Sequence, residues 1–335
     1  MSGPAAATRR QPRVSERFRE LGLLVFIVIL CAAFQIGNKS FLSLENINDL
    51  LTNTAILGIL AVGMMMVILT RGIDLSIGAT IAISGMVSAL TVQYLPNIPP
   101  LVSVIEGIAV GLLVGSLVGV LVARFDVLPI IATLGMMNIV RGVTYVISKG
   151  AWVSSYQMSD GFLSIATGKL FGVNNLIVIA VVVFVLAGYF LTRTRMGRRI
   201  YAVGSNPEAA DVSGIPRRWI TWFVYAVMGA LSGLAGVLWV SKFASAQGDS
   251  ATGYELNVIA AAVLGGVSIS GGSGKVTGLI LGTILLGILN NALPLIDVSP
   301  FWQQAIQGLV ILAAILTNVS VKRSGLRQAL RRRAI

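Results

Sequence analysis

The chain has 335 residues, of which 56% are hydrophobic and only 11% are charged. This composition excludes an ordinary soluble domain. The formal charge of +12 lies on basic residues that flank apolar stretches and lack aromatic interleaving, which excludes a nucleic-acid-binding surface. There is no histidine, and the single cysteine, Cys31, permits no intrachain disulfide. We therefore expect a membrane protein that is not an enzyme and has no metal or cofactor site of its own.

Ten stretches are candidates for membrane-spanning segments, since about 20 apolar residues are needed for one crossing. Nine carry no charge, and the tenth contains Arg141. The stretches are 21–38, 50–70, 75–105, 107–123, 127–147, 170–192, 219–241, 256–274, 276–296 and 298–321. Segments 75–94 and 256–274 are rich in Gly and Ser, which favours broken or re-entrant helices. The expected fold is an all-α polytopic transmembrane bundle of about ten spans, with eight to ten as the range.

The distribution of positive charge predicts the orientation. With a cytoplasmic N-terminus and ten crossings, 20 of the 25 Lys and Arg residues lie inside and four lie outside. Because cytoplasmic loops carry the excess of Lys and Arg, both termini are predicted to be cytoplasmic. The expected organisation is a basic N-terminus (1–20), one membrane domain (21–321) and a basic tail (322–335). The first apolar run has no small-x-small cleavage site, so we expect an uncleaved span and not a signal peptide.

The longest polar run between two apolar spans is the loop 193–218, which carries six arginines. A short helix is predicted inside it: Asn206 caps, Pro207 takes the first helical position and Glu208 meets the positive end of the helix dipole. Ala209 and Ala210 continue the helix, and Gly214 closes it. From these residues alone, an ordinary cytoplasmic loop with a capped helix remains an equal alternative.

Three stretches resemble a known family. Glu208-Ala209-Ala210, three residues and then Gly214 match the EAA-x3-G loop of ABC importer permeases, the segment that docks on the ATPase subunit. GRRIYAVGSNPEAADVSGI, TRGIDLSIG (70–78) and AVLGGVSISGGSGKVTG (262–278) resemble the ribose/xylose/galactoside/rhamnose class of sugar permeases. The segment GGSGK lacks the first Gly and the final Ser or Thr of a phosphate-binding loop. ATP would therefore be bound by another polypeptide.

The resemblance implies an ATP-driven, binding-protein-dependent importer in the bacterial cytoplasmic (inner) membrane that carries a neutral monosaccharide by alternating access. Its partners would be an ABC ATPase subunit, a periplasmic or lipid-anchored sugar-binding protein, and a second permease subunit, identical or paired. Helix 206–214 would be the coupling helix. An ion-coupled secondary sugar transporter is the alternative. Ionisable residues near the membrane midplane, which proton-coupled carriers usually need, are scarce here.

The segment around Arg71, Asp74 and Gly78 allows two interpretations. The two charges are three residues apart and predict a local ion pair at a helix end. Alternatively, the segment is a broken helix that lines a cavity. The resemblance favours structural importance and assigns no role.

Polar residues within the spans are candidates for contacts with sugar hydroxyls along a transport path. They are Asn138, Asn290 and Asn291, followed by Thr133 and Ser84. Contacts between helices are the more common role of such side chains in a bundle.

Two glycine ridges predict close helix packing, within the bundle or against a second subunit. They are Gly107, Gly111, Gly115 and Gly119, and Gly274, Gly278 and Gly282. Two segments are expected outside, Lys149–Gly172 with Trp152, Tyr156 and Asp160, and Ser245–Glu255. They would contact a binding protein or be plain solvated loops.

Overall fold

Twelve α-helices occupy the part of the chain that the computed structural model describes, which is 14–299 and seven positions between 302 and 312. Of the predicted last span 298–321, nine positions are described, and the seven of them between 302 and 312 are helical. The first 13 residues and the tail 322–335 lie outside the described residues. The helices are α1 Val14–Gly37, α2 Leu44–Leu69, α3 Ile77–Tyr94, α4 Pro100–Arg124, α5 Pro129–Ser148, α6 Asp160–Thr167, α7 Asn175–Arg193, α8 Arg195–Ser205, α9 Pro207–Val212, α10 Arg217–Phe243, α11 Tyr254–Leu264 and α12 Val276–Leu295.

Within the described part of the chain, eight helices are long and apolar enough to cross a membrane: α1, α2, α3, α4, α5, α7, α10 and α12. They correspond to eight of the ten predicted stretches, so a polytopic helical fold is confirmed. The stretch 256–274 differs, because only Tyr254–Leu264 is helical and a glycine-rich loop follows. The prediction that this stretch is broken is correct. The same prediction for 75–94 is wrong, because Ile77–Tyr94 is one continuous helix.

Among the described residues, four two-residue strands form two small antiparallel pairs at the end of the bundle remote from α8 and α9. β1 (Val153–Ser154) pairs with β4 (Ser245–Ala246), and β2 (Lys169–Leu170) pairs with β3 (Val173–Asn174). The first pair joins the two segments predicted to be external. Residues 245–253 are therefore not a free loop, because their start is held in a strand pair.

Helix α2 is the centre of the bundle. From Thr54 to Leu69 all of its residues are buried, and it contacts α7, α10, α11 and α12. A helix that is apolar on every side is stable only when other helices surround it. The sequence of α2 therefore explains its central position.

The first glycine ridge packs within the bundle, against α10. A Cβ atom at Gly111 or Gly115 would overlap the backbone of Gly229, and one at Gly107 would contact that of Gly233. In the second ridge, Gly278 and Gly282 pack on α11, whereas Gly274 precedes the helix. Small residues let the two backbones come into direct contact, which is how helices associate without a hydrophobic driving force.

Helices α2 and α10 run in opposite directions, and each is followed by a non-helical segment at which the chain turns back. We call them the interrupted helices. Helix α2 runs towards α8, and residues 70–76 then turn back before α3 runs away from it. Helix α10 starts beside α8 and α9 and runs away from them, residues 244–253 turn back, and α11 returns. The start of α3 meets the second of these segments and the start of α11, since a Cβ at Gly78 would lie 2.5 Å from the carbonyl oxygen of Ala251 and 2.8 Å from Oε2 of Glu255. Non-helical backbone of this kind is tolerated inside a membrane protein where other protein surrounds it.

We predict that Gly111→Ala lowers the thermal midpoint of the purified protein by roughly 2–12 °C, as over-packing by 1–3 kcal/mol would do. The added methyl group meets backbone atoms of α10, which cannot rotate away. The measurement is a melting curve in detergent, followed by fluorescence and size-exclusion chromatography.

The matched control is Gly188→Ala in α7, where a Cβ would meet nothing within 4 Å. Because Ala is the better helix former, this variant should be as stable as the parent or more so. Equal midpoints for the two variants would contradict the packing of α4 on α10.

Candidate functional site

The short helix predicted in the polar loop is present. α9 (Pro207–Val212) begins at Asn206, whose side-chain oxygen accepts a hydrogen bond of 3.0 Å from the backbone N–H of Ala209. Pro207 occupies the first turn beside Glu208, as predicted. The local sequence signals for this helix start are confirmed.

The end of α9 is a Schellman motif. Gly214 has φ +72°, its N–H bonds to the carbonyl of Asp211, and the N–H of Ile215 bonds to that of Ala210, both at 3.0 Å. The left-handed conformation explains the glycine, because an L-residue there costs about 1–2 kcal/mol. Ala210 is buried under the helix, whereas Glu208, Ala209 and Val212 are exposed.

A second helix, α8, precedes α9 and was not predicted. Its N-cap is Thr194, whose hydroxyl accepts from the N–H of Gly197 at 3.0 Å. The buried residues Gly197, Ile200, Val203 and Gly204 recur at helical spacing, with arginines on the opposite face. This apolar periodicity was present in the sequence, but the six arginines suggested a polar loop.

The C-terminus of α8 touches the C-terminus of α2 and the glycine-rich loop 265–275. A Cβ at Gly204 would overlap the carbonyl oxygen of Leu69, so the two backbones are in direct contact. The same oxygen accepts a 3.0 Å hydrogen bond from the N–H of Gly272. Tyr201 adds a hydroxyl bond of 2.8 Å to the carbonyl of Gly274. We call this meeting of residues 69–72, 201–205 and 271–274 the inner junction.

The side chain of Arg71 links the end of α2 to the end of α8 in the inner junction. Its Nε donates to the carbonyl of Gly204 at 2.7 Å, and its second terminal nitrogen donates to that of Ser205 at 3.0 Å. These carbonyls end α8 and have no partner within the helix, so the guanidinium both satisfies them and neutralises the negative end of the helix dipole.

The predicted ion pair between Arg71 and Asp74 is wrong. Arg71 has φ +67° and its guanidinium binds α8, whereas one oxygen of Asp74 accepts from the N–H and the hydroxyl of Ser76, at 2.8 and 2.6 Å. Asp74 is buried and organises the turn before α3. Residues 72–76 are not helical, as the alternative interpretation of a broken helix expects, whereas the lining of a cavity by this segment stays a prediction.

Arg141 binds backbone carbonyls of the non-helical segment 244–253, much as Arg71 binds those of α8. It donates to the carbonyls of Gly248 and Ser250 at 2.8 and 2.9 Å. The guanidinium of α5 thus holds the segment that leads into α11. The partly buried charge of Arg141, which lies within a membrane-spanning helix, is satisfied here by backbone oxygens, as the cost of burying it requires.

The five predicted path residues do not come together. Ser84 and Thr133 are fully buried and bond to carbonyls of their own helices, at 3.2 and 2.9 Å. Asn138 lies on the exposed face of α5, where it bonds to the carbonyl of Leu134. Both hydroxyls bond within their own helices in this structure, and a place for either residue in a transport path stays a prediction.

Asn290 and Asn291 do share a cavity, of about 230 Å³, between α2, α11 and α12. Asn291 exchanges two hydrogen bonds, of 3.0 and 2.9 Å, with the amide of Asn46. Asn53 and Tyr254 also line the cavity and were not predicted. They line the cavity only because three helices meet there, and no local sequence pattern indicates this.

Comparison with known proteins places this geometry in a family. Residues 46–315 match the family described as "Branched-chain amino acid transport system / permease component". The chain belongs to this permease family. It is a multi-pass protein of the bacterial inner membrane.

Named relatives of the permease are sugar transporters. It is 41% identical over 297 residues to the ribose import permease protein RbsC of Escherichia coli K12, covering 88% of this chain and 92% of the relative. The corresponding protein of Bacillus subtilis is 40% identical, with 89% and 91% covered. The L-arabinose transport system permease protein AraH of E. coli K12 is 32% identical, with 94% and 96% covered. No solved structure matches the permease.

We predict that Arg71→Lys reduces ATP-driven sugar uptake several-fold. A lysine ammonium cannot reproduce the planar fork that reaches two carbonyls, and each hydrogen bond from a charged donor is worth about 1.5–3 kcal/mol. Uptake by proteoliposomes that contain the complete transporter measures the effect.

Arg124→Lys is the matched control, because Arg124 is an exposed arginine in the last turn of α4. It should transport normally. Normal transport by Arg71→Lys as well would show that the inner junction does not depend on this guanidinium.

Proposed function

We propose that this permease forms the translocation path of an ATP-driven, binding-protein-dependent importer of a neutral monosaccharide. The observation that carries the proposal is the continuous connection from α9, through α8 and the inner junction, to both interrupted helices. A push on α9 would move the end of α2 and the loop between α11 and α12 together, because their backbones are in contact.

The exposed side of α9 is the proposed contact for the ATPase subunit. Val212 is 91% exposed at the tip of this helix, with Glu208 and Ala209 beside it. Asn206, Pro207 and Gly214 shape the two ends of the helix, and Ala210 is buried beneath it. ATP would be bound and hydrolysed by that partner, and the permease would supply no cofactor site.

The proposed orientation places α8 and α9 in the cytoplasm together with both termini. Two basic residues support it: Arg71 and Lys275 lie at the same end of the bundle as the loop 193–218, where Lys275 pairs with Glu20 at 3.3 Å. The proposed organisation remains a basic terminus (1–20), a membrane domain (21–321) and a basic tail (322–335), although α1 already begins at Val14. Segment 298–321 would add a last span.

The opposite end would receive the sugar-binding protein. Trp152, Tyr156 and Phe171 are 62%, 85% and 98% exposed there, on the segment between α5 and α7. Aromatic side chains are enriched at protein interfaces.

A second permease subunit would pack near the exposed face of α5. On this face Cβ atoms at Gly135 and Gly142 would meet nothing within 4 Å, and Asn138 lies between them. A polar and glycine-lined face is unsuited to lipid but suited to another helix or to water. The face is also the reason to retain Asn138 as a proposed path residue.

The proposed substrate is a neutral sugar. The family description names branched-chain amino acids, whereas the named relatives carry ribose or L-arabinose in their names. The identity to the sugar permeases, over nine-tenths of each chain, favours the sugar. An ion-coupled carrier, the alternative from sequence, receives no support from these relatives.

The coupling role of α9 predicts that Gly214→Leu abolishes most uptake while the permease still reaches the membrane. A β-carbon is strained at φ +72°, so the helix end and the position of Ile215 would shift. Uptake in cells and immunodetection in isolated membranes measure the two effects.

Gly214→Asn is the matched control, since Asn tolerates the left-handed conformation better than other residues. It should retain a larger share of uptake than Gly214→Leu. If the leucine variant transports as well as the asparagine variant, α9 does not transmit motion through this cap.

Orientation is tested with cysteines introduced into a Cys31→Ala background. Ser205→Cys should be protected from an impermeant thiol reagent in intact cells, and Ser155→Cys should react, because both positions are exposed at opposite ends of the bundle. The reverse pattern would place α9 outside and exclude its contact with an ATPase.

A further inference from the structure

The cavity between α2, α11 and α12 has the chemistry of a carbohydrate site. Amides and hydroxyls line it: Asn53, Thr54, Tyr254, Asn290 and Asn291. None of the described residues that line this cavity is acidic or basic, and Lys242 beside it is engaged by Asn53. Neutral donors and acceptors suit the hydroxyl groups of a sugar, whereas a zwitterionic amino acid needs partners for a carboxylate and an ammonium group.

The cavity has a fixed aromatic wall. Tyr254 stands at the start of α11, and its ring meets that of Trp239 edge to face, with centroids 5.1 Å apart and an interplanar angle of 78°. An aromatic ring offers a broad apolar surface to the C–H face of a sugar, while its hydroxyl remains polar.

The floor of the cavity depends on a glycine. A Cβ at Gly287 would overlap the hydroxyl of Thr54, so α12 approaches α2 closely enough for Asn290 and Asn291 to reach the same space. Asn53 is held on the other side, where its side-chain oxygen accepts from Nζ of Lys242 at 2.6 Å. The polar groups are therefore positioned by neighbouring helices.

The mouth of the cavity is polar and exposed. Asn53 and Asn290 are both exposed, although they lie on helices apolar enough to span the membrane. Polar side chains in such helices face water-filled space or protein and rarely lipid. Asn53 is 16 residues before Leu69, roughly 24 Å along α2 from the inner junction, so the cavity belongs to the half of the bundle remote from α9.

We propose that this cavity is a low-affinity monosaccharide subsite, at which the sugar is first held after the binding protein releases it. The proposal rests on the proposed importer function and adds the residues that hold the substrate: Asn53, Thr54, Tyr254, Asn290 and Asn291. Its affinity is low because few polar groups replace the water that the sugar loses, and a low affinity allows release to the other side.

Cysteine protection in the complete transporter tests the subsite. In a Cys31→Ala background, Asn290→Cys should react with an impermeant maleimide, and millimolar ribose or L-arabinose should slow that reaction at least about threefold. Leucine at the same concentration should have no effect. Asn53→Cys, on the other side of the mouth, should behave in the same way and serves if Asn290→Cys fails to assemble.

Two control variants show how a water-exposed and a lipid-facing cysteine behave in the same assay. Asn97→Cys, exposed on the turn between α3 and α4 and outside the segments proposed to contact the binding protein, should react at the same rate with and without sugar. Val185→Cys, 64% exposed on the apolar α7, should not react. If the cavity cysteines behave like Val185→Cys, the cavity faces lipid, and if they react without protection by either sugar, it is not a subsite.

Uptake by the Cys31→Ala parent separates this inference from the proposed function. Uptake of sugar by the parent together with unprotected cysteines at both cavity positions would overturn the subsite alone. Absence of ATP-driven sugar uptake by the parent would overturn the importer function, and protection by leucine without protection by sugars would overturn the ligand class of the cavity.

Discussion

The contact on which the structure most depends is the one between Gly204 and the carbonyl oxygen of Leu69. No side chain fits between these backbones, so a larger residue at 204 would force α8 away from α2. The carbonyl oxygen of Leu69 has no hydrogen-bond partner at the end of α2 and accepts from the N–H of Gly272 in the glycine loop. The carbonyl of Gly204 at the end of α8 accepts from Arg71. Each of the three segments thus supplies what another helix end lacks.

This reciprocal capping gives the permease a mechanical path. The short helix α9 follows α8 directly, the segment 70–76 leads into α3, and the loop 265–275 joins α11 to α12. In the proposed mechanism, a small displacement of α9 would reach both interrupted helices through these backbone contacts. Packed backbones move as units and resist gradual deformation, which is the behaviour that alternating access requires.

Sequence reasoning was most successful where the signals are local. Asn206, Pro207 and Gly214 act within two turns of the chain, so α9 and both of its caps were predicted residue by residue. The eight long apolar helices were likewise predicted, because length and hydropathy alone determine them. The break in the stretch 256–274 was indicated by its glycines.

Contacts between distant segments were not predictable in this way. The left-handed backbone at Arg71 directs its guanidinium to residues more than 130 positions later, and so the expected pair with Asp74 does not form. The arginines of α8 favoured the prediction of a polar loop over that of a helix. The cavity residues Asn53 and Tyr254 come together only when α2 and α11 pack against α12.

The claim that α8, α9 and the glycine loop move as one unit is tested most directly by spin-label distances in the complete transporter. Labels at Val212 and Ile269, both exposed, report on the unit, and labels at Val212 and Tyr156 span the two ends of the bundle. Labelled permease is diluted with unlabelled copies, and spectra are compared before and after trapping with ATP and vanadate. We expect the distance between 212 and 269 to stay constant while the distance between 212 and 156 changes. A change of similar size in both distances would contradict rigid coupling through the inner junction.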